Sequence, residues 1–70
     1  MKGTLTNTIR RLRFDADEMT QKDLAAKVGV SRQTIVAIEA GKYAPSLELA
    51  FQIAAAFRVP IQDVFTYTLD

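Results

Sequence analysis

Apolar residues recur at three- and four-residue intervals along most of this chain, and capping residues break the pattern into short helices. Ile9 and Leu12, flanked by Arg10, Arg11 and Arg13, predict a first helix from about Thr6 to Phe14. The run Asp15, Ala16, Asp17, Glu18 follows as a solvated acidic connection. Thr20 stands where an N-cap belongs, with Asp23 three residues on as a variant of the capping box. Leu24, Ala25 and Val28 then form the inward stripe of a second helix. Gly29 falls where a helix end requires positive φ, and Val30 plugs the turn. Ser31 caps a third helix, Ile35 and Ile38 face inward, and Gly41 ends it.

Pro45 and Ser46 open a fourth helix through Leu47, Ala50, Ile53, Ala54 and Phe57. Pro60 opens a short fifth through Ile61, Val64 and Phe65. The period then changes: Phe65, Thr66, Tyr67, Thr68 and Leu69 alternate apolar and hydroxyl side chains of β-favouring type. The expected fold is all-α, five helices closed by a short extended strand.

Seventy residues allow one domain over 1–70 with one small core. The chain has no cysteine and no histidine. No disulfide framework, Cys/His metal site, thiol nucleophile or histidine base is therefore available. Asp15, Asp17 and Glu18 lack the glycine and terminal acid of a calcium loop. The acids fall on caps and exposed turns, so an enzyme is not expected, and no metal, cofactor or small-molecule ligand is implied. No apolar run reaches the ~20 residues of a membrane span. The N-terminal segment has no apolar core of a signal peptide, and a cytoplasmic location is the simplest reading. Charge is uneven: residues 1–42 hold eight Lys or Arg against five acids, and residues 43–70 hold one Arg against three. The basic excess thus lies in the part of the chain that holds the first three helices.

Two short helices joined by a tight turn over about 20–40 suit the reading of DNA, where the second helix lies in the major groove and the first crosses the backbone. Ala25 permits a close helix crossing, Gly29 supplies the turn, and Ser31, Arg32, Gln33 and Thr34 give the third helix a polar, outward first turn. Arginine can hold guanine O6 and N7 bidentately, and glutamine adenine N6 and N7. Gln21 opens the second helix and can meet a phosphate, while Lys42 and Tyr43 can hold the strand beyond the third. Arg10 and Arg11 fit a solvated face better than the alternative, a reach to phosphates at the edge of the site.

The residues T20-Q21-x-x-L24-A25-x-x-V28-G29-V30-S31-R32-Q33-T34-I35-x-x-I38-E39-x-G41-K42-Y43-x-P45-S46-L47 closely resemble the Cro/C1-type (XRE-like) helix-turn-helix regulators. The resemblance continues through Ala50, Ile53, Ala54 and Pro60-Ile61-x-Asp63-Val64-Phe65. It implies a compact five-helix phage-repressor-like domain that binds a palindromic operator as a dimer, with recognition helix 31–40 in the major groove. Gln21 matches the family's phosphate contact. Arg32, Gln33, Val36 and Ala37 match base-facing positions, and Lys42 and Tyr43 match backbone contacts. Arg13 and Glu39 match a structural clamp between the first and third helices. Between Leu12 and Gln21 the chain carries one residue more than the commonest spacing, which the first helix or the acidic connection must absorb.

The function expected is a sequence-specific transcriptional regulator of double-stranded DNA. The competing reading is a protein-interaction module of the same fold, such as an antitoxin or a transcription bridging factor. One recognition helix reads only a few base pairs, so a homodimer is expected. The tail, about 65–70, offers Phe65, Tyr67 and Leu69 on one face for antiparallel pairing with a second copy, with Phe57 nearby.

Overall fold

The computed structural model describes residues 2–70. Along the chain come β1 (Gly3–Asn7), α1 (Ile9–Asp15), α2 (Gln21–Val28), α3 (Arg32–Glu39), α4 (Leu47–Phe57), a single 3-10 turn (Ile61–Asp63) and β2 (Phe65–Leu69). Among the described residues, four helices and a small two-stranded sheet replace the expected five helices and lone strand.

The differences lie at the two ends. Thr6 to Thr8 do not begin the first helix; Gly3–Asn7 is a strand that pairs antiparallel with β2, Leu5 opposite Tyr67 and Asn7 opposite Phe65. Threonines line one face of this hairpin-like ribbon, and Leu5, Tyr67 and Leu69 the other. The Tyr67 ring lies over Gly3, where a Cβ would fall 2.6 Å from ring carbons and 2.7 Å from the Thr68 carbonyl oxygen, so a side chain here must displace the strand opposite. The expected fifth helix is one 3-10 turn. Its continuation is diverted because Thr8 takes the next carbonyls: its N–H donates to Val64 O at 2.9 Å and its hydroxyl to Asp63 O at 2.6 Å. The start of α1 is thereby tied to the entry of β2.

The helices end where their caps dictate. Thr20 Oγ1 accepts from Asp23 N–H at 2.9 Å while the Asp23 carboxylate accepts from Thr20 N–H at 3.2 Å, a full capping box with Asp in the Glu position. Gly29 takes φ +74°, and the next N–H, of Val30, returns to Ala25 O at 3.0 Å. Ser31 and Ser46 cap α3 and α4 through the Thr34 and Leu49 amides. Asn7 links two helices at once: its Oδ1 accepts from Ile9 N–H at 3.1 Å, and its Nδ2 donates to Ile38 O at 3.0 Å near the end of α3.

The core gathers Ile9, Leu24, Ile35, Ile38, Ile53 and Val64, each at or below 2% exposure, with Ala25, Leu49 and Ala54. Every helix contributes; α3 packs its inner face into this core, chiefly beside α2, and presents its outer face to solvent. Burying each large side chain contributes roughly 1.5–3 kcal/mol before chain entropy is counted. Among the described residues no helix is long and apolar enough to cross a membrane.

Candidate functional site

The outer face of α3 is built by the same spacing that builds its inner one. Ile35 and Ile38 point into the core, which leaves Arg32, Gln33 and Val36 exposed and Thr34 and Ala37 half-buried at the edges. At ~1.5 Å per residue the eight residues of α3 span about 12 Å. Gln21 flanks this face at its N-terminal end, and exposed Lys42 and Tyr43 follow it at the other. Lys42 is held close to the helix, its N–H donating to Ala37 O at 2.9 Å.

Beneath the face runs a bonded series of side chains. Arg13 Nε donates to Glu39 Oε1 at 2.6 Å and its terminal nitrogen to Oε2 at 3.2 Å. A third donation, to Met19 O at 3.0 Å, satisfies the remaining guanidinium nitrogen. Both side chains are mostly buried, 16% and 12% exposed. Gln21 Nε2 donates to Glu39 Oε2 at 3.0 Å, and Gln21 Oε1 accepts from Arg32 at 3.2 Å. The series joins α1, α3 and α2 and returns to the exposed start of α3. Arg32 therefore leaves the surface along a direction set by Gln21, and Gln21 by Glu39.

Ser31 and Thr34 play a more local part. The Ser31 hydroxyl accepts from Thr34 N–H at 3.2 Å and lies 3.0 Å from the Thr34 hydroxyl, so both are engaged in closing the first turn. Arg32 and Gln33 are the long polar side chains that remain to reach outward. Of Gln21, the second Nε2 hydrogen and the backbone N–H in the open first turn of α2 remain for a ligand oxygen.

The connection between α1 and α2 closes in a tight turn. Asp17 and Glu18 adopt φ +59° and +57°, and Glu18 and Met19 N–H return to Phe14 and Arg13 carbonyls. The same turn brings the Met19 carbonyl to the Arg13 guanidinium. Two of these parts carry no strong sequence signal: the Met19 carbonyl, which is backbone, and Asn7, whose only mark is an amide side chain two residues before the first helix.

Asp23 is the titratable group whose environment shifts it clearly. The Thr20 N–H, then the Thr20 hydroxyl, and more weakly Lys22 and Lys27 stabilise its charged form and hold it below the usual carboxylate range. It serves the cap, at the start of the helix that carries Gln21. Among the described residues no group of His, Cys, Asp or Glu is arranged to hold a metal.

Phe65 packs at the edge of the core, whereas Tyr67 and Leu69 are 53% and 59% exposed. Phe57 also packs against the core. The tail is not an isolated edge strand, since β1 occupies one of its edges; the other edge has no strand beside it among the described residues.

A family model described as helix-turn-helix matches residues 9–64. An uncharacterized HTH-type transcriptional regulator of Methanocaldococcus jannaschii is 65% identical over 52 residues, covering 74% of this chain and 79% of that protein. One of Archaeoglobus fulgidus is 55% identical over 49 residues, 70% of this chain and 69% of its own. The uncharacterized HTH-type transcriptional regulator YgzD of Bacillus subtilis is 52% identical over 46 residues, 66% of this chain and 70% of its own.

Proposed function

Because the chain belongs to the helix-turn-helix family of Cro/C1-type (XRE-like) transcriptional regulators, we propose that α3 enters the major groove of double-stranded DNA and reads its sequence. The observation that supports this best is the series Arg13, Glu39, Gln21, Arg32. A long, flexible arginine on a surface loses rotamer freedom when it binds, and one already aimed by a neighbour loses less. Gln21 aims Arg32 while keeping its own N–H groups for the phosphate beside the base that Arg32 reads. In this reading, positioning on the backbone is coupled to base recognition.

In this reading Arg32 and Gln33 make the hydrogen-bonding base contacts. Val36 and Ala37 offer apolar surface to a thymine methyl, and Lys42 and Tyr43 hold the backbone past the end of α3. Ser31 and Thr34 lie at the DNA surface and keep the helix start in shape. Occupancy of the operator blocks polymerase or recruits it.

Two half-sites need two copies. The exposed face of Leu5, Tyr67 and Leu69 and the free edge of β2 provide the contact, each β2 running antiparallel to its mate so that two ribbons become one four-stranded sheet. Phe65 underlies this surface. Sedimentation of the full chain and of a chain lacking residues 66–70 tests the assembly: a dimer that survives the deletion overturns this interface. Titration of labelled duplex DNA at 50 and 200 mM salt tests the DNA contact. Binding that weakens steeply with salt is expected; no retention at either concentration overturns the reading in favour of a protein partner.

A further inference from the structure

Arg10 is outside the residues matched above to the family's contacts, and its place in the fold gives it a role. It lies on the exposed face of α1, at the rim of two adjoining grooves. One runs between α1 and α3, where Arg10 faces Val36 and Gln21. The other opens at the start of α2, where Arg10 stands with Lys22, Arg32 and again Gln21. The other arginines of α1 are engaged: Arg11 with Asp15 at 3.8 Å, and Arg13 with Glu39. Among the described residues no carboxylate pairs with Arg10 within 4.0 Å. Glu18 lines the second groove as well, without forming such a pair. Arg13 cancels Glu39, so Arg10, Lys22 and Arg32 outnumber Glu18 and leave this groove cationic.

We propose that Arg10 contacts a DNA phosphate on the strand that Gln21 addresses, so that α1 as well as α2 and α3 lies within the footprint. The inference rests on the DNA-binding reading above and deepens it. A guanidinium free of a protein partner, next to a glutamine that offers N–H groups outward, suits a phosphodiester, whose two free oxygens can accept from both. Such a contact carries no sequence information; it adds affinity on every duplex and fixes the approach of α1 to the backbone.

The test is the salt dependence of binding, measured by anisotropy for wild type, Arg10→Ala, Arg10→Lys and Lys27→Ala on a duplex selected for binding and on one of unrelated sequence. Lys27 is an exposed cation at the opposite end of α2, in a different groove with Gln52 and Arg58, and controls for bulk charge. The slope of log affinity against log salt should fall by about 0.9 per protomer for Arg10→Ala, equally on both duplexes. Arg10→Lys should keep most of it, and Lys27→Ala should leave it unchanged. A wild-type slope for Arg10→Ala, or an equal fall for Lys27→Ala, overturns the proposal while leaving the DNA-binding reading intact. Absence of salt-dependent binding by the wild-type protein overturns that reading and this contact with it.

Discussion

Replacing Glu39 by Gln keeps the size of the side chain and removes the one negative charge of the bonded series. Arg13 would then stand with a guanidinium that is only 16% exposed, and its remaining partners would be neutral. Its two bonds to Glu39, at 2.6 and 3.2 Å, need two acceptor oxygens; the amide keeps one, so one bond is lost and the amide NH2 faces a guanidinium N–H. Breaking a buried pair by removing one partner costs ~3–5 kcal/mol; the residual exposure and the retained neutral acceptor place Glu39→Gln near the lower end, at about 3 kcal/mol. A domain of this size shifts its Tm by ~4–8 °C per kcal/mol, so a fall of roughly 12–24 °C follows. The assay is urea and thermal unfolding followed by circular dichroism at one fixed protein concentration, because an assembling protein has a concentration-dependent Tm. Removing both charges in Arg13→Met with Glu39→Leu should recover most of the loss, since the unpaired charge is the main cost. A Glu39→Gln protein within ~0.5 kcal/mol of wild type, or a double variant no better than the single one, would refute the assignment of a buried structural pair.

Arg32→Ala should cost about 1–3 kcal/mol of discrimination at one base position in competition binding, with other positions unaffected; equal losses on every sequence would contradict a base-reading role. Gln21→Ala should weaken binding to all duplexes and also relax the position read by Arg32, since it removes the acceptor 3.2 Å from that arginine; a variant that relaxes nothing would uncouple the two residues. Gly29→Ala meets no atom within 4 Å of its new Cβ, so its cost is that of holding φ +74° alone, roughly 1–2 kcal/mol by urea unfolding. The depressed pKa of Asp23 stabilises the fold above its unfolded value, and that contribution is lost as pH falls through the lower folded value. The difference in Tm between wild type and Asp23→Asn should therefore be present at neutral pH and close in the acid range; a difference independent of pH would refute the charged cap.

The helix-turn-helix unit is legible because its signals are local. Thr20, Gly29 and Ser31 each act on residues one to four positions away, and the structure puts an N-cap, a left-handed C-cap and an N-cap there. The ends are less legible because their causes are distant. Thr4, Leu5 and Thr6 become a strand through partners some sixty residues along the chain, a pairing that no short window contains. The apolar spacing of Ile61 and Val64 suits a helix, yet Thr8 captures the carbonyls that a continuing helix would use. The acidic run reads as a plain solvated link, whereas it holds two left-handed residues, Asp17 and Glu18, and the Glu18 and Met19 N–H groups return to α1. Charge pattern alone does not select Arg13 from three nearby arginines. The tie between Gln21 and Arg32 depends on how closely α2 and α3 cross, which Ala25 and Gly29 allow but do not specify.

The central claim is that α3 reads DNA sequence in a paired arrangement. Selection of a randomised duplex pool with the full chain at physiological salt, followed by sequencing, addresses it most directly. The account predicts enrichment of an inverted repeat whose half-sites are centred ~34–36 Å apart along one face of the duplex. Salt-sensitive retention without any enriched sequence, or no retention, would contradict it.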